Sequence, residues 1–174
     1  QWHRNTNWRR PLNDPSLEQP LGNLIADAQL AATDGPTQGG AQVAFMNPGG
    51  VRTDLTYLTS AANEGDGVVT FGESFAVQPF GNNLVTLDLT GAQIELMLEQ
   101  QFCGANAGLS RVLLPSSGFY YRWSASAIGS ANCAVADAVP FSSITLNGNP
   151  LVASTTYRVT VNNFLADGGD GFSV

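Results

Sequence analysis

The stretch Ile144-Thr145-Leu146-Asn147-Gly148-Asn149-Pro150-Leu151-Val152 decides the fold class. Two short apolar arms around Asn-Gly read as a β-hairpin, because those two residues tolerate the positive φ that a two-residue hairpin turn demands. The reading pairs Ile144–Leu146 with Leu151-Val152, and Pro150 weakens the second arm because it has no N–H to donate. Just downstream, Tyr157, Val159 and Val161 alternate as a half-buried strand does, and the pattern runs through Asn163-Phe164 before it collapses into Asp167-Gly168-Gly169-Asp170-Gly171-Phe172. Upstream, Phe119, Tyr121, Trp123 and Ala125 alternate with Tyr120, Arg122 and Ser124, which predicts another strand.

Further toward the N-terminus, Leu84 to Leu89 reads as a strand, and Thr90 with Gln93 matches a capping box that opens a helix through Ile94, Met97, Leu98 and Gln101-Phe102. Thr70 to Ala76 predicts a short helix stopped by Pro79, and residues 59–67 are a small, polar, glycine-rich loop. Gln42 to Met46 is a buried strand that empties into Asn47-Pro48-Gly49-Gly50. Leu21, Leu24, Ile25, Ala28, Ala31 and Ala32 form a helical stripe that closes at Asp34-Gly35-Pro36. Before it, Arg4, Arg9, Arg10 and prolines 11, 15 and 20 have no period, so residues 1–17 read as a lead-in or linker and 18–174 as one domain. Strands and helices that alternate irregularly around a hairpin predict an α+β fold, a mixed β-sheet covered by helices, over a doubly wound parallel sheet.

Composition narrows the chemistry. Charged residues are 12% of the 174, about half the usual share, while 43% are apolar, so charge-driven disorder is excluded. Seven basic against fourteen acidic residues leave a net charge of −7, which opposes nucleic acid or an anionic membrane as partner. All seven basic residues are arginines, which removes a Schiff-base or P-loop lysine and leaves anion recognition to the guanidinium fork or to backbone N–H groups. A single histidine, His3, cannot build a Ser-His-Asp triad or a His-x-His metal pair. Cys103 and Cys133 are too few for a zinc cluster; they are either a disulfide across a Gly/Ser/Ala-rich stretch or two buried thiols. No run of 18 apolar residues predicts a membrane span, and no signal peptide is recognisable, so Gln1 reads as a processed or cut end.

Three segments break the packing logic, each an apolar run that ends in glycine-rich backbone with polar or aromatic side chains. They are Asn47-Pro48-Gly49-Gly50-Val51-Arg52, Gln78-Pro79-Phe80-Gly81-Asn82-Asn83 and Asn163 to Phe172. Singly, each reads as an ordinary turn. Together they offer two aromatic rings for a base, a carboxylate for sugar hydroxyls and an arginine for a phosphate. The Gly168-Gly169-Asp170-Gly171 run is neither a calcium repeat, since one copy exists and Ser173 replaces the final Asp, nor a dinucleotide fingerprint. Glu95 and Glu99 at i, i+4, and Asp66 near Glu64, read as solvated faces.

With Leu21-Gly22-Asn23-Leu24-Ile25-Ala26-Asp27-Ala28 ahead of them, these segments make the chain resemble the C-terminal domain of the 5'-nucleotidase and UDP-sugar hydrolase family over about residues 18–174. The resemblance implies that Phe80 and Phe164 sandwich a base and Asp170 holds ribose hydroxyls. It further implies that Asn47 and Gly50 approach the base or substrate, Arg52 orients the phosphate side, and Gly81 and Asn163 shape the aromatic loops. Many members carry an arginine where this chain has Leu17, which leaves a second phosphate-side arginine open unless Arg9 or Arg10 substitutes.

The resemblance also implies a nucleotide or nucleoside ligand and a secreted, periplasmic or cell-surface location, which favours the disulfide. Two divalent metal ions and the attacking water belong to a separate N-terminal metallophosphoesterase domain. This chain is then a binding part with no cofactor of its own and no phosphatase activity alone. The alternative is a surface interaction or adhesion module that keeps the fold.

Overall fold

A computed structural model describes residues 19–58, 63–108, 111–124 and 129–173. The lead-in, with Arg9, Arg10 and Leu17, lies outside them. Helix α1, Pro20–Thr33, starts with proline at its first turn, where the missing N–H costs nothing. It ends at Asp34, whose N–H reaches Leu30 O at 2.8 Å. Strand β1, Val43–Met46, is buried at every position. Helix α2, Phe71–Val77, and helix α3, Gly91–Glu99, both open on full capping boxes, Thr70 with Glu73 and Thr90 with Gln93. Each box satisfies two N–H groups that a helix start would otherwise leave without a partner. Strand β2, Leu84–Thr90, runs into α3, which stops at Glu99, so Gln101 and Phe102 lie in a turn past its end.

The remaining strands are β3, Leu114–Pro115, β4, Phe119–Tyr120, β5, Thr145–Leu146, β6, Asn149–Pro150, and β7, Thr156–Asn162. The last runs into the short helix α4, Asn163–Ala166. The main sheet has the order β2-β7-β1-β3. In it β1 and β7 are parallel, whereas β2 with β7 and β3 with β1 are antiparallel. A second, three-stranded sheet has the order β4-β5-β6. This is the mixed α+β architecture that the hairpin argued for.

Period-two alternation sends Val43 and Phe45 into the larger core with Ile94, Leu98 and Phe102, and Met46 to the opposite face with Ala26 and Leu114. The faces are therefore covered by α3 on one side and α1 on the other.

Several expectations change. The buried face of α1 is Gly22, Ala26, Gln29 and Thr33, and Leu24 of the expected stripe is 60% exposed. The cause is close approach to the sheet: a Cβ on Gly22 would stand 1.9 Å from Leu114 Cδ1, and Thr33 Oγ1 meets Thr160 Oγ1 at 2.7 Å. The hairpin turns at Asn147 (φ 51°) and Gly148 (φ 78°) as expected, but its second arm is Asn149-Pro150 rather than Leu151-Val152. Regular pairing after Phe119 stops at Tyr120 instead of running on through Trp123, and Ala125, where the expected strand ends, lies outside the described residues.

Glu99 is not on a solvated face. It is 2% exposed and its carboxylate accepts the N–H groups of Val139 at 2.6 Å and Ala138 at 3.1 Å. Burial pushes its pKa up, opposed by those two N–H groups and reinforced by the charge of Asp137. Cys103 and Cys133 are joined in a disulfide with Cα atoms 5.3 Å apart, so the buried-thiol alternative falls. Among the described residues no helix is long and apolar enough to cross a membrane.

Candidate functional site

The parallel pairing of β1 and β7 brings their C-terminal ends to one edge of the sheet, and the register Leu84↔Asn162 adds the start of β2. The three glycine-rich segments therefore meet there, although they are far apart in the chain. Asn163 holds two of them together: its Oδ1 accepts from Asn83 N at 2.9 Å, and its own N–H donates to Asn83 O at 2.9 Å. The aromatic loops are thus tied one residue from Phe164 and three from Phe80. Both rings face solvent, Phe80 50% and Phe164 44% exposed, where a core phenylalanine is close to zero. Gly81 beside Phe80 has open space where a Cβ would stand, whereas a Cβ on Gly169 would lie 2.4 Å from Phe164 Cε1. Glycine at 169 lets the Phe164 ring lie on the backbone.

A chain of amides runs behind the rings. Asn162 Oδ1 accepts from Leu165 N at 2.9 Å and caps α4, while its Nδ2 donates to Asn47 Oδ1 at 2.9 Å. Asn47, buried just past β1, donates through Nδ2 to Asp170 Oδ2 at 2.9 Å. The other carboxylate oxygen of Asp170 pairs with Arg111 Nη1. Asn106 Nδ2 holds the Asp170 carbonyl at 2.8 Å. Asp170 sits at φ 56°, a left-handed conformation that Asp tolerates better than most residues. Both of its oxygens are engaged, yet each keeps a further lone pair, and the side chain is 16% exposed.

Arg52 projects from the turn after β1. Its Nη1 donates to Gly49 O at 3.2 Å and its guanidinium stands 5.9 Å from the Phe80 centroid. Its backbone N–H reaches Val77 O at 2.9 Å, which ties this turn to the end of α2 just ahead of Phe80. Gly50 is buried, and a Cβ there would stand 2.2 Å from Met46 Cε. It packs under the turn.

The structure thus brings Asn47, Arg52, Phe80, Asn163, Phe164 and Asp170 to one sheet edge, with Gly50 packed beneath and Gly81 open beside Phe80. Arg111, Asn106 and Asn162 belong to the same network and were missed in the sequence. Nothing local marks Arg111, whose carboxylate partner is 59 residues away. Among the described residues no group of three His, Cys, Asp or Glu side chains is placed to hold a metal ion.

The sequence matches the family model described as "5'-nucleotidase, C-terminal domain" over residues 5–174. The chain is 39% identical over 159 residues to the cell wall protein Lmo0130 of Listeria monocytogenes, covering 90% of this chain and 18% of that protein. It is 38% identical over 160 residues to the trifunctional nucleotide phosphoesterase protein YfkN of Bacillus subtilis, covering 90% of this chain and 10% of that one. A crystal structure of a 5'-nucleotidase precursor from Thermus thermophilus superposes with a TM-score of 0.69 at 32% identity, over 91% of this chain and 29% of the other. The chain therefore spans less than a third of each of these proteins. A family match along nearly the whole sequence, together with a like fold at that identity, means that the chain belongs to the 5'-nucleotidase C-terminal domain family.

Proposed function

We propose that this chain is the substrate-binding part of a secreted or cell-surface nucleotide phosphohydrolase. A base stacks between Phe80 and Phe164, the spare lone pairs of Asp170 take ribose hydroxyls, and Arg52 swings from Phe80 toward the phosphate. Asn47 and Arg111 hold the Asp170 carboxylate in place from behind. The observation that carries this reading is the paired hydrogen bond between Asn163 and Asn83, which ties the loops of two half-exposed phenylalanines to each other. Stacking of one base face on one ring contributes about 1–3 kcal/mol. Hydrolysis needs metal ions and an activated water, which we assign to an N-terminal domain of the longer protein. The chain alone then binds nucleotides without releasing phosphate.

The test is calorimetric or NMR titration of the chain with adenosine and AMP. Binding near millimolar, about −4 kcal/mol, is expected, with Phe80→Ala and Phe164→Ala each weakening it about tenfold or more. Asp170→Ala should weaken adenosine more than 2',3'-dideoxyadenosine. Absence of binding to about 20 mM, or affinity indifferent to both rings, overturns the reading. Steady phosphate release from AMP by the chain with added divalent metal overturns the division of labour.

A further inference from the structure

The carboxylate of Asp170 stands on backbone that its own neighbours do not fix. Residue 170 is at φ 56°, between Gly168 at φ 88° and Gly171 at φ 78°. Glycine restricts the chain least of all residues, and a left-handed backbone is unfavourable for a residue with a Cβ. Such a residue keeps that conformation only where its surroundings impose it. A change of φ at 170 would swing the Cα–Cβ bond and carry the carboxylate away from Asn47 and Arg111.

The surroundings are residues 100–106, which grip the turn at three points. Gln100 takes Ser173: its Oε1 accepts from Ser173 N at 2.9 Å and its Nε2 donates to Ser173 Oγ at 3.2 Å. Ala105 lies so close to Gly171 that a Cβ there would stand 2.9 Å from Ala105 Cβ. Asn106 takes residue 170 itself. It is 1% exposed, and its Nδ2 donates to Asp170 O at 2.8 Å and to Gln100 O at 2.9 Å, which engages both of its N–H groups.

The grip is anchored from behind. Asn106 N donates to Cys103 O at 3.0 Å, Gly104 N to Ser130 O at 3.1 Å and Gly129 N to Phe102 O at 3.0 Å, and Cys103 is joined to Cys133. Asn106 therefore stands on a fixed support, whereas the glycine-rich turn that it holds does not fix itself.

We propose that Asn106 is a positioning residue for ribose recognition, an inference that rests on the nucleotide reading above. By holding the Asp170 carbonyl it keeps residue 170 left-handed, and that conformation presents the spare lone pairs of the carboxylate to the sugar hydroxyls. Asn106 is buried and acts through Asp170. Its contribution is to the preference for a hydroxylated sugar and not to the stacking of a base on Phe80 and Phe164.

The test uses Asn106→Leu, which keeps the volume and removes both donors, with adenosine and 2',3'-dideoxyadenosine titrated into the isotope-labelled chain. Adenosine should bind about fivefold more weakly, and the dideoxy compound within about twofold of its affinity for the unaltered chain. In an Asp170→Ala background the same substitution should change neither affinity by more than about twofold, because the group through which it acts is gone. Without ligand, the backbone resonances of Asp170 should move, since they follow φ. Equal loss for both compounds, the same loss persisting without the Asp170 carboxylate, or unmoved Asp170 resonances overturns the proposal. If Asn106→Leu does not fold, the unaltered chain decides. There adenosine should shift the side-chain amide resonances of Asn106 and the dideoxy compound should not; equal shifts, or none with adenosine bound, overturn the proposal. Failure of the unaltered chain to bind adenosine overturns the nucleotide reading instead, and the ligand-free resonances of Asp170 still decide whether Asn106 sets its conformation.

Discussion

Glu99 is a carboxylate in the core that works as a backbone clamp, accepting two N–H groups from a segment about 40 residues further along. Its pKa in the folded chain is raised above the ordinary 4.5, chiefly by burial, so the folded state holds that proton more tightly than the unfolded chain does. Between the ordinary and the raised value, stability contributed by this group falls as pH rises. Glu99→Gln removes the titration. Chemical denaturation from about pH 4 to about pH 7 should show the stability difference, native minus Gln variant, declining with pH. A difference that is flat or grows with pH overturns this account.

Gly169 offers a second test at a single position. A Cβ there would stand 2.4 Å from both the ring and the carbonyl oxygen of Phe164, and the carbonyl cannot turn aside as a side-chain tip can. Gly169→Ala should cost about 1–3 kcal/mol and displace Phe164, seen as a lower melting temperature and weaker adenosine binding.

The helices separate local from long-range causes. The capping boxes of α2 and α3 lie within four residues each, and the Thr90–Gln93 box was legible from the sequence for that reason. Thr70→Ala should destabilise α2 by about 0.5–2 kcal/mol, measurable by urea denaturation, and α2 is the element whose end leads into Phe80. Helix α1 was equally legible as a helix, but not the face it buries. Its apolar residues pointed to Leu24 and the alanines after it, whereas the sheet lies so close at Gly22 that small and hydrogen-bonding residues face it. Replacing a helical glycine by alanine usually stabilises by up to ~1 kcal/mol. Here Gly22→Ala should do the opposite, by about 1–3 kcal/mol, because Leu114 is fully buried and has nowhere to move. A raised melting temperature would show that the contact yields.

For the molecule as a whole, the disulfide joins residues 30 positions apart, linking the turn after α3 to the segment next to the one that Glu99 clamps. Closing a loop of that length restricts the unfolded chain by about 3–4 kcal/mol. Replacing both cysteines by serine should therefore lower the melting temperature by about 10 °C in a chain of this size. A shift under a few degrees would mean that the core alone holds the region.

Hydrogen bonds and φ preferences that act within about four residues were readable directly: the Thr90–Gln93 box, the Asn147-Gly148 turn, and the break after β1 where Asn47 stands; the strand pattern, by contrast, read on through Asn163-Phe164, where the structure ends β7 at Asn162 and starts α4. The glycine-rich segments also set Phe80 and Phe164 apart as rings that need not belong to the core, with ordinary core phenylalanines left open; their exposure came from the structure. What no local pattern contained was the set of partners: Asp170 with Asn47 across 123 positions and with Arg111 across 59, Asn163 with Asn83 across 80, and the clamp on Glu99. The pairings of Asp170 and Asn163 depend on which strand ends the parallel β1 and β7 bring side by side, and the clamp on Glu99 on where α3 meets the segment at 138–139. That is a matter of packing one sheet between α1 and α3, so only the folded chain could decide it.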